Sequence, residues 1–463
     1  MHAQGKKKFL TLAAAASFLA SAFGIGTRQS LAAEELGHGE TGKTSAPSTS
    51  EAIPEGTPLS RDNLDQLMKK KLDGHVLRDL IPQELERFIR EYNWRWSKLI
   101  KGTEGDLKKT PVKKGVLEST SLFKGQARVN PATKRLENFT AGIPFLDISP
   151  DDPLGGYKVM YNAQKPSWMA DSALGLMDGV RVDAKKGVEG QVGYTAGIFR
   201  YKGRQHKPWN IEGVDYNVVF MAFQKYPTDA KGVGMMIFLY PDGRFPDIYA
   251  YMRSTRRVRR LSSGAWSEPM AGSEMSFDEA MGGVAADASW YQNVKLLGKR
   301  YVLATLHGEP NPGYPFPGMI AEKKELQERY PRVDLKNPPH WVLVDAGEPV
   351  STYLIEITPP KGFSWGKRLV YLGAHPHIPA HYWTFEYDKK GELWKVMVSA
   401  YCFVEDAEKE YGIAPHFYGG YDVQRAHGGF SQPDIPRWQP VWNQAGTELA
   451  KQFTPQNIPN LVE

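Results

Sequence analysis

Cysteine is almost missing from this chain of 463 residues, whose one thiol belongs to Cys402. A single cysteine cannot form an intramolecular disulfide, so a disulfide-stabilised scaffold is excluded. Cys402 lies within the apolar run 396–404, and cysteines in such runs are mostly buried packing residues. The sequence therefore predicts a fold that holds together without covalent cross-links.

Long hydrophobic runs are also missing, with one exception near the N-terminus. Residues 9–26 are rich in Leu, Ala and Phe, follow the three lysines at 6–8 and precede the small residues at 30–33. This arrangement is typical of a secretory signal, so residues 1–33 are predicted to be cleaved. No cysteine follows the run for lipid attachment, and an exported chain without disulfides fits a bacterial periplasm.

A strong excess of charge of one sign is missing as well. The formal net charge of +6 includes four basic residues within 1–33, a segment without acidic residues, so cleavage lowers it to +2. This near-balance argues against a general nucleic-acid-binding surface. Aromatic residues, in contrast, are frequent at 12% of the chain, which fits broad strands and an apolar cavity.

Motifs of common catalytic sites are missing too, since the sequence has no His-Glu-x-x-His and no Gly-x-Ser-x-Gly. Four glycine pairs are present, but none has the strand–loop–helix context of a phosphate-binding loop. Tight turns or bulges are therefore predicted at 155–156, 282–283, 419–420 and 428–429. No motif indicates an enzyme class, and no cofactor is predicted.

The pattern along the chain divides into a leader, a helical segment and a β-rich domain. Residues 34–57 are rich in Gly, Ser, Thr, Pro and Glu without an apolar period, which predicts a disordered leader. Residues 58–104 show helical spacing, and this segment is expected to pack on the main domain or to act as a lid. Its apolar positions are Leu64, Leu67, Met68 and Leu72 in one helix and Leu85, Phe88, Ile89, Tyr92 and Trp96 in another.

Residues 105–463 are predicted to form one β-rich domain with long loops, because the apolar period changes to two in this region. Turn sequences at 130–131, 241–243 and 388–391 separate strand-like runs, as in antiparallel hairpins. Helical pattern is scarce there, and no repeat of fixed period is visible. The predicted fold class is α+β, with a large antiparallel sheet that is either partly curled or closed.

The most distinctive segment is Tyr251-Met-Arg-Ser-Thr-Arg-Arg-Val-Arg-Arg260. Alternation along a strand would place Arg257 and Arg259 on one face and Arg256 and Arg260 on the other. Neither face would then be an ordinary apolar core face, so the segment is predicted to end a strand, line a wet cavity or lie among carboxylates. The carboxylates nearby in sequence are Asp247, Glu274 and Asp278.

Several short segments follow one another in a characteristic order. They are Ala141-Gly-Ile-Pro-Phe145 with Asp152-Pro-Leu-Gly-Gly156 and Tyr161-Asn162, Asp247-Ile-Tyr-Ala-Tyr251 with Arg256-Arg-Val-Arg-Arg260-Leu261, Gly272-Ser-Glu-Met-Ser-Phe-Asp278, and Tyr387-Asp-Lys-Lys-Gly-Glu-Leu-Trp-Lys395. In order and spacing the chain resembles the domain-of-unknown-function 1329 family of exported Gram-negative proteins over roughly residues 60–430.

This resemblance implies a fold similar to that of the periplasmic Lol-type lipoprotein carriers. Those have a curved antiparallel sheet, a half-open barrel, with helices that close an apolar cavity. The resemblance also implies a role beside inner-membrane exporters and outer-membrane proteins in moving a hydrophobic molecule through the periplasm. No catalytic residues are established for the family, so none is implied here.

The predicted function is the binding, and the handing over, of a lipid or other hydrophobic molecule without catalysis. Each buried methylene supplies about 0.8 kcal/mol, so an acyl chain can bind tightly without any chemistry. Arginines would meet an anionic head group at the cavity rim. The candidate ligand-binding residues are Arg253, Arg256, Arg257, Arg259 and Arg260, with Tyr249, Tyr251, Trp383 and Trp394 as aromatic lining.

Two other functions stay open at this point. The three histidines within residues 375–381 would bind zinc if Glu386, Asp388 or His416 completed a site, as in a metal-dependent hydrolase. Two prolines within the same segment favour a turn of surface histidines instead. The other function is that of a docking subunit of an exporter, which binds no ligand and uses the arginine segment as its contact surface.

We expect the chain, when exported by a Gram-negative host, to begin at or near Glu34 after cleavage. N-terminal sequencing and intact mass of the periplasmic protein measure this directly. Replacing Leu10 by Arg interrupts the apolar run and should abolish export. Recovery of an uncleaved chain from the membrane fraction would contradict the prediction.

Overall fold

A computed structural model describes residues 51–102, 110–228, 231–262, 266–267, 269, 274–312, 323–406, 409–434 and 452–462. These residues belong to one unit, which runs from position 50 to position 463. The predicted signal and most of the predicted leader lie outside the described residues. None of the helices in the described ranges is long and apolar enough to cross a membrane.

A 14-stranded sheet dominates the structure. The strands of the described chain are β1 (Lys71–Leu72), β2 (His75–Val76), β3 (Lys98–Leu99), β4 (Arg128–Val129), β5 (Leu136–Glu137), β6 (Ser172–Asp183), β7 (Gly187–Arg200), β8 (Val218–Tyr226), β9 (Gly234–Leu239), β10 (Asp247–Met252), β11 (Arg257–Arg260), β12 (Asn293–Ala304), β13 (Val333–Asp334), β14 (Val342–Leu343), β15 (Ala346–Thr358), β16 (Trp365–Gly373), β17 (His381–Asp388), β18 (Leu393–Glu405), β19 (Tyr411–Asp422) and β20 (His427–Pro433). Their order in the sheet is β11-β10-β9-β8-β7-β6-β20-β19-β18-β17-β16-β15-β12, with β3 paired to β15. The path does not close on itself, and the predicted α+β class with a large curved antiparallel sheet is confirmed.

Helices are few and short in the described chain. They are α1 (Leu64–Leu67), α2 (Leu77–Leu80), α3 (Gln83–Tyr92), α4 (Lys114–Phe123), α5 (Gly155–Gln164), α6 (Ala280–Gly283), α7 (Lys323–Arg329) and α8 (Ile458–Val462), with 3-10 turns at Ala288–Trp290 and Pro455–Asn457. The helix predicted around Leu64 ends early, because Leu72 lies in β1. The second predicted helix is α3, whose buried residues Leu85, Phe88 and Ile89 match the helical spacing.

The three predicted hairpins are present. β4 pairs with β5, β9 with β10, and β17 with β18, each in antiparallel register across the expected turn. The four glycine pairs predicted as turns or bulges have other positions. Pair 155–156 begins helix α5, pair 282–283 ends helix α6, and pairs 419–420 and 428–429 lie within strands β19 and β20. A Cβ on Gly156 would overlap the carbonyl oxygen of Val294, so glycine lets this helix lie directly against β12.

The N-terminal helices pack on one side of the sheet, which we call face A and which carries Trp383. The ring centroid of Trp383 lies 5.4 Å from that of Trp94 and 6.4 Å from that of Phe88. Ile53 is buried in the same core, and its backbone N–H donates to Lys71. Residues 51–57 are therefore part of the fold, although composition had assigned them to the leader, and the helical segment packs on the sheet.

The opposite side of the sheet, face B, carries Phe220, Ile237 and Val370. Face B is covered by α5 and by the segment 277–291, which includes α6. Gly282 and Gly283 both have positive φ values and approach strands β16 and β17 so closely that a side chain would overlap them. Segment 274–291 is thus held tightly against the sheet.

A row of charged residues crosses face B and explains this tight packing. Ionisable residues face one another on six neighbouring strands, and side chains that face each other across antiparallel strands lie on the same face. The row is Arg368, Glu386, Lys395, Asp422, His427 and Asp183. Such a row favours one relative register of the strands, because a slip would separate the buried ionisable groups from their partners.

The buried centre of the row is completed by segment 274–291. The Arg368 guanidinium lies 2.7 Å from Asp278 and donates to Glu386 at 2.6 Å, while Lys395 donates to Glu279 at 2.7 Å. These five residues, all nearly inaccessible to solvent, comprise three carboxyl groups and two cations. Burial raises the pKa of Glu386 to about 8, although the Arg368 charge opposes this. A neutral Glu386 leaves the five residues electrically balanced.

We expect Arg368→Ala to lower the free energy of unfolding by about 3–5 kcal/mol, because the buried Asp278 carboxylate loses its counterion. The control is Lys367→Ala on the adjacent, half-exposed residue, whose pairing with Glu356 is worth at most about 1 kcal/mol. Urea unfolding at pH 7 measures both. Equal effects for the two variants would contradict a structural role for the buried row.

The raised pKa of Glu386 also predicts a pH dependence. Its folded pKa of about 8 exceeds the ordinary value of 4.5, so its contribution to stability is complete below pH 4.5 and lost as pH rises through 8. Glu386→Gln removes this titration. The unfolding free energy of the wild type, relative to that of Glu386→Gln, should therefore fall between pH 5 and pH 8. A difference that stays constant or rises would contradict the assignment.

Candidate functional site

A cavity lies on face B between the end of α5, strands β8 and β9, and the loop that follows β7. It consists of a hollow of about 510 Å³ and a smaller one of about 50 Å³, which share Lys165 and Asn217 in their walls. Most of the wall is apolar. Its apolar side chains include Leu136, Phe139, Ile211, Val214, Val218, Phe220, Leu239 and Trp290. The volume is within the range of small-molecule sites, about 300–1,000 Å³.

Arg200 is a buried cation in the wall of the smaller hollow. It ends β7, and its Nη1 donates to the carbonyl oxygens of Lys165 at 3.0 Å and Gln164 at 3.3 Å. These carbonyls belong to the C-terminal turn of α5, where a positive charge is favourable. Burial lowers the pKa of Arg200 to about 10, so the group stays charged at pH 7. Among the described residues, no carboxylate forms a salt bridge with it.

Lys165 supplies a second cation, which is paired. Its ammonium group donates to the Asp287 carboxylate, and the two side chains are both about 9% exposed. Burial alone would raise the pKa of Asp287, but Lys165 outweighs it and the pKa is lowered. Asp287 also accepts from the backbone N–H of Ser289, which fixes the short helical turn in the cavity wall. The smaller hollow is therefore lined by three cations, Arg200, Lys165 and Arg244, and by one carboxylate, Asp287.

Asn217 adds an unsatisfied polar group to both hollows. The residue is 6% exposed, and its side-chain oxygen has no hydrogen-bond partner in the described structure. A buried amide group without a partner is destabilising by about 1–3 kcal/mol, and such groups are typical of sites that bind something else. The cavity thus has mostly apolar walls, a buried cation and an amide oxygen that can accept a hydrogen bond.

The predicted arginine segment lies elsewhere, at one edge of the sheet. Arg257, Arg259 and Arg260 are in β11, the last strand of the path, and Arg253 and Arg256 are in the β10–β11 turn. All five are exposed. Of the three carboxylates considered from sequence, only Asp247 pairs with this segment, through Arg260. Glu274 pairs with Arg425 and Asp278 with Arg368.

The predicted aromatic lining does not lie in the cavity wall either. Tyr249 and Tyr251 pack on face A with Phe238 and α8, and Trp383 is in the face A core, where its indole N–H donates to the Leu303 carbonyl. Trp394 occupies a β-bulge in β18 and donates to Asp422 at 2.9 Å. None of the nine residues predicted from sequence lines the two hollows. Their role in ligand binding stays a prediction.

The three histidines of segment 375–381 do not converge. The His375 and His377 rings are 6.1 Å apart, whereas His381 is buried with its ring nitrogens hydrogen-bonded to the hydroxyls of Ser399 and Thr384. Burial lowers the pKa of His381 to about 3, so it is neutral. Within the described ranges, no group of three His, Cys, Asp or Glu residues has the arrangement of a metal site.

Comparison with known proteins assigns the chain to a family. Residues 62–459 match the model of a family described as a protein of unknown function, DUF1329. The chain belongs to the DUF1329 family. This confirms the resemblance carried by the segments at 141–162, 247–261, 272–278 and 387–395. A search of curated proteins found no significant match.

Three solved structures are similar to this DUF1329 protein at low identity. A DUF1329 family protein from Desulfovibrio piger is 14% identical, with 61% of this chain and 91% of that chain covered and a TM-score of 0.39. A domain from Vibrio parahaemolyticus that is described as an outer membrane lipoprotein-sorting protein is 15% identical, with 62% of this chain and 91% of that chain covered and a TM-score of 0.37. A LolA superfamily protein from Nitrosomonas europaea is 12% identical, with 60% of this chain and 90% of that chain covered and a TM-score of 0.34.

Sequence analysis did not identify the cavity residues of this DUF1329 protein, and the reason is physical. Arg200 is one of several basic residues between positions 200 and 207, and Asn217 is a single amide in a loop, so the sequence does not single out either residue. The only sequence feature noted near the site was the segment from Asp152 to Asn162, most of which lies in α5, on one side of the site. Its two glycines had been interpreted as a turn, which removed the helix from the prediction.

Proposed function

We propose that this protein binds an amphipathic molecule with an apolar body and an anionic head, and carries it through the periplasm. The observation that supports this proposal is the cavity on face B, where mostly apolar walls surround a buried Arg200 that forms no salt bridge with any described carboxylate. A carboxylate or phosphate group would balance the charge of Arg200 through charge-assisted hydrogen bonds.

The apolar part of the ligand would occupy the larger hollow. Leu136, Phe139, Ile211 and Val214 line that hollow, and exclusion of methylene groups from water supplies binding free energy there. Lys202 and Glu212 also contribute to its wall, and Glu212 is exposed. Exchange with an inner-membrane exporter or with outer-membrane proteins, which the family resemblance implies, is part of the proposal.

The first experiment is native mass spectrometry of protein purified from the periplasm, followed by organic extraction of anything bound. We expect an amphiphile with an acidic group at up to one molecule per chain. The second is fluorescence titration with dansylaminoundecanoic acid and with its neutral methyl ester. Val214→Trp should weaken both probes, because the indole fills the larger hollow.

Arg200→Met separates recognition of the head from burial of the chain. It should weaken the acid by about 10- to 100-fold, as expected for the loss of a charge-assisted hydrogen bond, and leave the ester nearly unchanged. The matched control is Arg257→Met at the exposed sheet edge, which should bind both probes like the wild type. If Arg257→Met weakened the acid and Arg200→Met did not, the arginine segment and not the cavity would be the ligand site. Absence of both bound material and probe binding would contradict the carrier function itself.

A further inference from the structure

The sheet edge at β11 carries a surface feature that is separate from the cavity. At one end of β10, the β10–β11 turn lies against the β8–β9 turn, since a Cβ on Gly232 would be 2.8 Å from Cδ of Arg253. Met252 and Val233, one from each turn, are 42% and 40% exposed. We call this pair of turns, residues 231–234 and 252–259, the edge tip. It combines exposed apolar side chains with a high density of arginine.

The described residues of the edge tip carry an excess of positive charge. Arg253, Arg256, Arg257 and Arg259 are all exposed, and in the described structure none of them has a carboxylate within salt-bridge distance. Lys231 of the neighbouring turn is exposed as well. Arg256 adopts the left-handed backbone conformation, with a φ of 51°, at the position just before β11 begins. An unbalanced set of cations is attracted to an extended negative surface.

We propose that the edge tip docks the protein on a membrane surface that contains anionic phospholipids. Arginine and lysine near such a surface each add favourable electrostatic free energy, and exposed apolar side chains such as Met252 and Val233 can enter the interfacial region. Both kinds of side chain are present within two adjoining turns, as interfacial binding requires.

The geometry of β11 disfavours the other common partner of a sheet edge, an added strand from a second protein. β11 has four residues, three of which are arginines, and charged side chains on a short edge strand oppose strand pairing. Arg257 and Arg259 lie on the same face of β11, so an added strand would have to accommodate two like charges in succession. A flat anionic surface imposes no such strand register on the arginines.

Docking and ligand binding use opposite ends of the same strand. Tyr240 and Arg244, in the β9–β10 turn, line the cavity, whereas the edge tip is at the far end of β10, about 20 Å away for a six-residue strand. The membrane-docking proposal therefore does not depend on the proposed ligand. A chain that binds no amphiphile in its cavity can still bind vesicles through the edge tip.

Vesicle co-sedimentation of the protein purified from the periplasm tests the proposal. We expect binding to phosphatidylglycerol–phosphatidylcholine vesicles that weakens with salt, and little binding to pure phosphatidylcholine. The combined variant Arg253→Gln, Arg256→Gln and Arg257→Gln should bind roughly 100-fold more weakly, at about fivefold per guanidinium. Met252→Gln should reduce the binding that persists at high salt.

The matched control removes three cations from the opposite edge of the sheet. Lys295, Lys299 and Arg300 are exposed on β12, and changing all three to Gln alters the net charge by the same amount. This control should bind vesicles like the wild type. An equal loss in both triple variants would show general charge attraction and overturn the proposal. Wild-type protein that ignores anionic vesicles, but retains an acidic envelope protein through the three arginines, would assign the edge tip to protein docking instead.

Discussion

The buried row of ionisable residues on face B is the constraint on which much of this structure depends. Arg368, Glu386 and Lys395 lie side by side on three strands, and each would be strongly unfavourable in the interior without its neighbours. The strands alone cannot balance them. Asp278 and Glu279 complete the pairing from outside the sheet. The sheet register and the position of segment 274–291 are therefore coupled, because neither arrangement is stable without the other.

That coupling reaches the cavity through a continuous stretch of backbone. The residues that follow Glu279 include Gly283, whose carbonyl accepts from Arg368, and then Val284 and Asp287 in the cavity wall. A site that is built on such a segment is held in place by interactions some distance from the ligand. The strength of the ionic cluster thus determines how rigid one side of the cavity is. The other side, formed by α5, gains its rigidity from the close contact of Gly156 with β12.

The sequence predicted the parts of this molecule that local pattern determines. Alternating apolar residues and turn sequences placed the hairpins correctly, because a strand pair joined by a short turn needs only neighbouring residues. The partner of Asp278 could not be predicted in the same way, since Arg368 is 90 positions away and meets it only after the sheet has formed. The cavity could not be predicted for the same reason, because Arg200 and Asn217 come from separate loops and strands. The arginine segment drew attention because its charges are consecutive, yet consecutive charges indicate exposure more readily than a binding pocket.

Burial distinguishes the two kinds of cation in this protein, which correspond to different parts of the function proposed above. Arg200 is buried, has fixed backbone partners and keeps its charge in an apolar wall, so it can discriminate one acidic group by position. Arg257 and Arg259 are exposed, and solvent screens each of them, so they would act on an extended surface through their number. The proposed carrier would need both properties, because it would have to recognise one molecule and also approach the membrane from which that molecule comes. Because the two sets of residues lie at the two ends of β10, the affinity for the ligand and the affinity for the membrane could vary independently.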